Sequence, residues 1–229
     1  MNLSWRFLLE STGGRDTYLD WLARAWGWTL SVSVCALVVG TVMGTIRTLD
    51  GALPQRIGNA WTELFRNIPV LVQLFAWYQV LPALFPPLQA VPSFLLVTVA
   101  LGLFTSARVS EQVRAGIQAI PRGQRMAGLA LGLTRAQTYR HVLLPVAFRI
   151  VVPPLTTEAM NIVKNSAVAF AVSVPELTSY AMQVQEETSR SIEVYAIVTL
   201  LYFVSSFAVN RAGAVVERRL RIPGGLGAR

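Results

Sequence analysis

Charge, sulfur and imidazole are all scarce in this 229-residue chain. Its lone cysteine, Cys35, sits inside an apolar run and excludes a disulfide framework. With that cysteine and one histidine, His141, no metal site of the His/Cys type can be assembled. Asp, Glu, Lys and Arg together make up 14% of the residues, where a soluble domain carries about a quarter. No GxxxxGK[ST] phosphate loop occurs, so ATP would have to be handled by another chain. The sole histidine falls in a stretch expected to be aqueous, which argues against a nucleophile–base pair and hence against a membrane-embedded enzyme.

What is abundant is apolar: 53% of the residues are hydrophobic, which makes this an all-α polytopic membrane protein. A formal net charge of +8 would suggest nucleic acid in a soluble protein. Here the arginines cluster in particular loops, so the charge reports orientation in a lipid bilayer and no nucleic-acid partner is expected.

Residues 1–25 mix Arg6, Glu10, Arg15, Asp16, Asp20 and Arg24 with Trp5 and Trp21, which suits a periplasmic, interfacial arm rather than a signal peptide. Five spans follow, at about 26–46, 58–84, 93–117, 142–174 and 192–216, each near the ~20 residues a spanning helix needs. Trp21, Trp26 and Trp28 gather at the start of the first, as aromatic residues do at an interface. Gly40 and Gly44 form a G-x-x-x-G pair, expected to let a helix of this same subunit approach closely. Pro82, Pro86, Pro87 and Pro92 mark an uncharged turn, and Pro145, Pro153 and Pro154 are expected to break the start of the fourth span. Residues 175–193, with Glu176, Glu186, Glu187 and Glu193, read as an acidic aqueous loop, and 220–229 as a tail disordered at its tip.

Two spans are not plain. In the third, Arg108, Glu111 and Arg114 recur every three residues, and Arg108 can pair with Glu111 across one turn. In the fourth, Glu158, Asn161 and Asn165 share a face, with Lys164 at its edge. An ionisable group at mid-bilayer costs about 2.5–3.5 kcal/mol on insertion scales, so these residues should face a bundle interior or a wet path. Two roles stay open for them: lining a substrate path, or holding the bundle through Arg108–Glu111 and Lys164–Glu158 pairs.

Between these spans lies Arg122 to Pro145, RGQRMAGLALGLTRAQTYRHVLLP, which polar residues disqualify as a span. Read as a helix over about 122–139, it sets Leu129 and Leu133 on one face with Met126 and Ala130 beside them. Gln124, Arg125, Gly128 and Arg135 fall around the other side. Gly132 marks a bend, since a glycine inside a helix costs about 1 kcal/mol relative to alanine. Thr134 can cap a second short helix through Tyr139. Such a segment either rests on lipid headgroups or offers its ridge to a protein partner.

Orientation follows from the arginines. Loops 47–57 and 114–149 and the end from Arg211 hold most of them, whereas loops 82–92 and 175–191 share only Arg190. Positive loops stay in the cytoplasm, so the amino terminus is expected in the periplasm, and the 122–139 helix and carboxyl terminus in the cytosol.

Ala127, Gly128, Gly132 and Leu144-Pro145 resemble the EAA loop of ABC-importer permeases, although Met126 stands where that family usually has Glu and Gly128 replaces an Ala. Phe65-Arg66-Asn67-Ile68-Pro69 is similar to the FRNIP/FRGTP motif of polar amino-acid permeases. Glu158, Asn161, Lys164, Asn165 and Ser166 complete an E-x-x-N-x-x-K-N-S signature similar to that of glutamate/aspartate-type permeases. The resemblance covers nearly the whole chain and implies a MetI-like type I ABC-importer permease fold over 26–219, in a bacterial inner membrane. It further implies a coupling helix using Met126, Ala127, Gly128, Leu129, Gly132, Leu133 and Pro145 against an ABC ATPase dimer. A second permease subunit (the same chain or a different one) and a periplasmic amino-acid-binding protein complete the implied assembly. No cofactor is expected in this chain, because ATP and Mg belong to the ATPase. Arg108, with Lys164 as a second positive charge, would meet an acidic substrate by a bidentate fork. An ion-coupled secondary carrier, or a permease for another substrate class, is the alternative. The first is disfavoured because no inverted repeat of broken helices is visible.

Overall fold

The computed structural model describes residues 5–12, 16–47, 49, 51–172 and 174–220. The expected tail tip, Arg15 of the arm and Asp50 of the first polar loop lie outside the described residues. Among those described, every regular element is helical: α1 (Tyr18–Ile46), α2 (Ala52–Asn67), α3 (Val70–Leu84), α4 (Ser93–Gln118), α5 (Arg122–Ala130), α6 (Arg135–Val172), α7 (Leu177–Thr188) and α8 (Ser191–Leu220). Helices α1, α4, α6 and α8 are long and apolar enough to cross a bilayer, and α2 with α3 makes a fifth span if that bent pair is counted as one.

The first span begins earlier than its apolar run. Thr17 caps α1 in a reciprocal capping box with Asp20, so residues 18–25 of the expected arm are its first two turns. Gly40 and Gly44 then bring α1 against α4. A Cβ on Gly44 would lie 2.6 Å from Val113 Cβ, and one on Gly40 would lie 2.9 Å from Ser106 Cα. The G-x-x-x-G pair is thus a seam inside this subunit, as its sequence suggested.

The second span is not one rod. Helices α2 and α3 meet at 101° across Ile68-Pro69, because Pro69 can neither donate to the helix before it nor leave Ile68 helical. Gln73, 4% exposed, donates its side-chain amide to Phe65 O (2.7 Å) and Ile68 O (2.9 Å), satisfying carbonyls that the break strands. The FRNIP stretch is therefore the corner of a bent pair.

Prolines shape the remaining helices without breaking them. A π turn at Ala76–Val80 precedes Pro82, and another at Tyr139–Leu143 precedes Pro145. The wider turn makes room for the ring and re-satisfies the carbonyl ladder. Pro153 and Pro154 sit inside α6, which continues through them, contrary to the break expected there. The second half of the connector, expected to end near Tyr139, likewise runs on into the span as one helix from Arg135.

Residues 177–188 correct the expected acidic loop. They form α7, whose Leu177, Tyr180, Ala181 and Val184 are buried with Tyr18, Leu22 and Ala25 of α1 and Val194 and Val198 of α8. Glu186 and Glu187 are exposed on it, which is why composition alone read as loop.

Candidate functional site

The connector between α4 and α6 is a helix–turn–helix with a defined hinge. Helix α5 ends in Gly132 at φ +81°, with Leu133 N donating to Gly128 O (3.2 Å) and Gly132 N to Leu129 O (3.0 Å). This paired closure needs a left-handed residue, which glycine adopts without strain. Thr134 then caps α6, its Oγ1 accepting from Gln137 N while its own N donates to Gln137 Oε1 (2.9 Å). Both the bend and the cap stand where the sequence placed them.

Gly128 faces inward, where a Cβ would lie 2.8 Å from Thr138 Cγ2. This packing locks α5 onto the first turn of α6, a rigid unit that passes through Pro145 into the membrane-spanning body. Away from that contact, Met126, Leu129 and Leu131 are exposed to 65%, 37% and 82%. Ala127 is also exposed and Leu133 half-buried. Leu131 was missed in the sequence because it lies off the 129/133 face. It is turned out by the closure at Gly132, and its place just before that glycine was the available signal.

The charged residues of α4 and α6 do not pair as the sequence offered. Arg108 bridges to α6, its Nε 2.5 Å from Glu158 Oε1 and its Nη2 3.3 Å from Oε2. Glu158 is 3% exposed, and Asn161 also reaches it at 3.5 Å. Neither the Arg108–Glu111 nor the Lys164–Glu158 pair forms. Along the stripe Glu158 is buried, Asn161 and Asn165 are half-buried and Lys164 is exposed. The helix turn alone could not show this, because the better partner of Arg108 sits 50 residues away.

Glu111 serves a second cluster. It accepts from Arg47 Nη1 at 2.8 Å and from Arg114 Nη2 at 2.5 Å, while Arg47 also holds Asn59 Oδ1 through Nη2 at 3.0 Å. Arg47, with a 7% exposed side chain, ties the end of α1 to α2 and α4. It was read only as part of a polar loop.

At the opposite end of the bundle Glu176 caps α7. Its carboxyl accepts from Thr178 N (2.8 Å), Ser179 N (2.7 Å) and Tyr202 Oη (2.8 Å). Burial nevertheless raises it above the usual carboxylate range. The neighbouring Tyr180 phenol is pushed up to about 12, again chiefly by burial.

This architecture has relatives. The family described as "Binding-protein-dependent transport system inner membrane component" matches residues 36–222. The glutamate/aspartate import permease protein GltJ of Escherichia coli strain K12 is 39% identical, over 99% of both chains. The probable glutamine ABC transporter permease protein GlnM of Bacillus subtilis strain 168 is 36% identical, over 84% of this chain and 89% of its own. Among solved structures, a crystal structure of an amino acid ABC transporter with histidines superposes with a TM-score of 0.76 at 30% identity, covering 88% of this chain and 95% of that one.

Proposed function

This chain belongs to the family of binding-protein-dependent transport system inner membrane components, and from that premise we propose that it is the permease of an ATP-driven importer of acidic amino acids. It is a multi-pass inner-membrane protein and a type I ABC-importer permease for amino acids. The observation that carries the mechanism is the exposure of Met126, Leu129 and Leu131 on a glycine-closed helix locked to α6. Exposed apolar side chains gathered on one short helix and its closure suit a protein contact. An ATPase that grips them and moves would turn α5 and α6 together and carry Glu158 with them.

In this reading ATP and Mg are bound by the ATPase partner, and this chain works without catalytic groups of its own. A second permease subunit completes the path, and a periplasmic binding protein delivers the amino acid. The connector and the carboxyl end face the cytosol, and the amino terminus faces the periplasm. The arginine distribution supports that orientation.

Acidic substrate preference rests on Arg108. Its guanidinium is held from one side by Glu158, through Nε and Nη2, while Nη1 takes no part in that pair and the side chain stays 43% exposed. A substrate carboxylate can meet the remaining edge of a group that is already oriented. The likeness to GltJ over the full length supports glutamate and aspartate as the substrates.

Proteoliposomes carrying the permease pair, the ATPase and the binding protein test this directly. Aspartate uptake should require ATP and be abolished by vanadate. Uptake that proceeds without the ATPase would refute the reading in favour of an ion-coupled carrier. Arg108→Gln should lower uptake; unchanged uptake with intact assembly would remove Arg108 from the path.

A further inference from the structure

Glu176 is the most deeply buried carboxyl among the described residues, at 0% exposure, and no arginine or lysine there pairs with it. Its Oε1 accepts from Ser179 N (2.7 Å), and its Oε2 from Thr178 N (2.8 Å) and Tyr202 Oη (2.8 Å). The Tyr202 hydroxyl lies in turn 3.3 Å from Thr178 Oγ1, and either of those two oxygens can be the donor. Tyr202 and Thr178 are both half-buried. Carboxyl, phenol and hydroxyl thus form a row with its charged end closed off and its outer members partly open.

Such a row can run in two directions. With Glu176 ionised, Thr178 donates to Tyr202 and Tyr202 donates to the carboxylate. When a proton enters, Tyr202 passes its own to Oε2 and takes the one Thr178 was offering, while Thr178 takes its replacement from water. The neutral carboxyl then donates to Tyr202 Oη, and Tyr202 donates to Thr178 Oγ1. One proton has entered and one has arrived, with no heavy atom moved and both backbone bonds to the carboxyl kept. Ser166, the other hydroxyl beside Tyr202, is itself turned to Val163 O (2.8 Å). The remaining ionisable groups at this end are engaged elsewhere or stand apart: Tyr18 of α1 donates to Glu187 (2.6 Å), Arg190 pairs with Glu193 (3.8 Å), and the Tyr180 phenol has no hydrogen-bond partner.

We propose that Glu176 is a proton-binding site, filled and emptied through the Tyr202 and Thr178 hydroxyls without opening the contact between α7 and α8. Burial without a cation favours the neutral carboxyl, and the reversible row keeps that form fully bonded. The position gives the site its use. Glu176 stands four residues past the end of α6 and holds α8 through Tyr202, so it hitches the far end of the lever to the last span. A hitch that holds in both charge states lets the bundle work unchanged while the pH outside it varies. That this outside is the periplasm rests on the orientation in the reading above; the proton site itself does not.

The test uses the assembled complex with its ATPase. Infrared difference spectra taken as the pH is lowered from about 8 to about 4 should show a carboxylic C=O band that is missing from Glu176→Gln. Thr178→Val takes away the acceptor that Tyr202 turns to and should move the midpoint of this band to lower pH by about one unit. Thr178→Ser should restore it. Hydrogen exchange of the first turn of α7, corrected for the intrinsic effect of pH, should keep its protection on both sides of the midpoint. Glu176→Ala, which removes the cap, should lose that protection about fivefold. Identical spectra for wild type and Glu176→Gln would overturn the site, and an unmoved midpoint in Thr178→Val would overturn the relay. Protection lost by the wild type on acidification would show a contact that opens, and would overturn the proposal as well. None of these readouts uses transport, so a complex that fails to import aspartate would strike at the functional reading alone.

Discussion

Arg108 on α4 and Glu158 on α6 join the two spans that flank the connector through a contact of 2.5 Å between Nε and Oε1. Any rotation of α6 driven through α5 must pull on this pair or carry both helices together. It is therefore a strut between the two spans, and under the proposed function Arg108 is the oriented cation offered to an anionic substrate.

Truncating one side leaves the other behind. Arg108→Ala strands a carboxylate that is 4% exposed and should destabilise the permease by about 3 kcal/mol, the low end for buried pairs because Arg108 is itself half in the open. Glu158→Gln should cost less, since no buried charge remains. A double-mutant cycle by thermal unfolding of the purified complex should give a coupling of about 1–3 kcal/mol. Additive effects would show that the pair is not a strut.

The seam between α1 and α4 should not tolerate added bulk. Gly44→Ala places a methyl group 2.6 Å from Val113 Cβ and 2.9 Å from Ser110 Cα, which forces the helices apart at a cost of about 1–3 kcal/mol. Gly102→Ala is its control, since nothing lies within 4 Å of that position. Melting temperatures should fall for the first and stay near the wild type for the second.

At the connector, strain and crowding can be separated. Gly132→Ala meets no atom within 4 Å but must hold φ +81°, costing about 1–2 kcal/mol. Gly128→Ala keeps good helical geometry and instead collides with Thr138. Both should lower substrate-stimulated ATP hydrolysis by the assembled complex more than they lower its melting temperature. Loss of stability alone, with coupling intact, would argue against a rigid α5–α6 lever.

Glu176 gives a pH dependence of definite sign. Its carboxyl is raised in the folded state, so the native protein holds that proton more tightly than the unfolded chain does. The resulting stability is full below the ordinary carboxylate value and is lost as pH rises through the raised one. Glu176→Gln mimics the protonated form. The variant's melting temperature should therefore gain on the wild type's as pH is raised, and a constant difference across pH 4 to 8 would contradict the assignment.

Periodicity and punctuation made much of this fold legible. Apolar length located α1, α4, α6 and α8, while Gly132 and Thr134 marked the closure and the cap, because turn chemistry is local. What escaped was set by contacts distant in sequence. The partner of Arg108 lies on another helix, so the i,i+3 spacing to Glu111 misled. The 101° corner at Pro69 needed Gln73 to satisfy the stranded carbonyls. Helix α7 was hidden by its exposed glutamates, and Leu131 by its place off the 129/133 face. The prolines of α6 misled in the other direction: a π turn and neighbouring helices absorb what would break an isolated helix.

Photo-crosslinking from Leu131 tests the central claim most directly. A photoreactive residue placed at this 82% exposed position, in the complex as isolated from the inner membrane, should form its main adduct with the ATP-binding subunit, and ATP with vanadate should change the yield. Adducts with lipid alone, in both nucleotide states, would contradict the account of α5 as the lever by which a separate motor moves this permease.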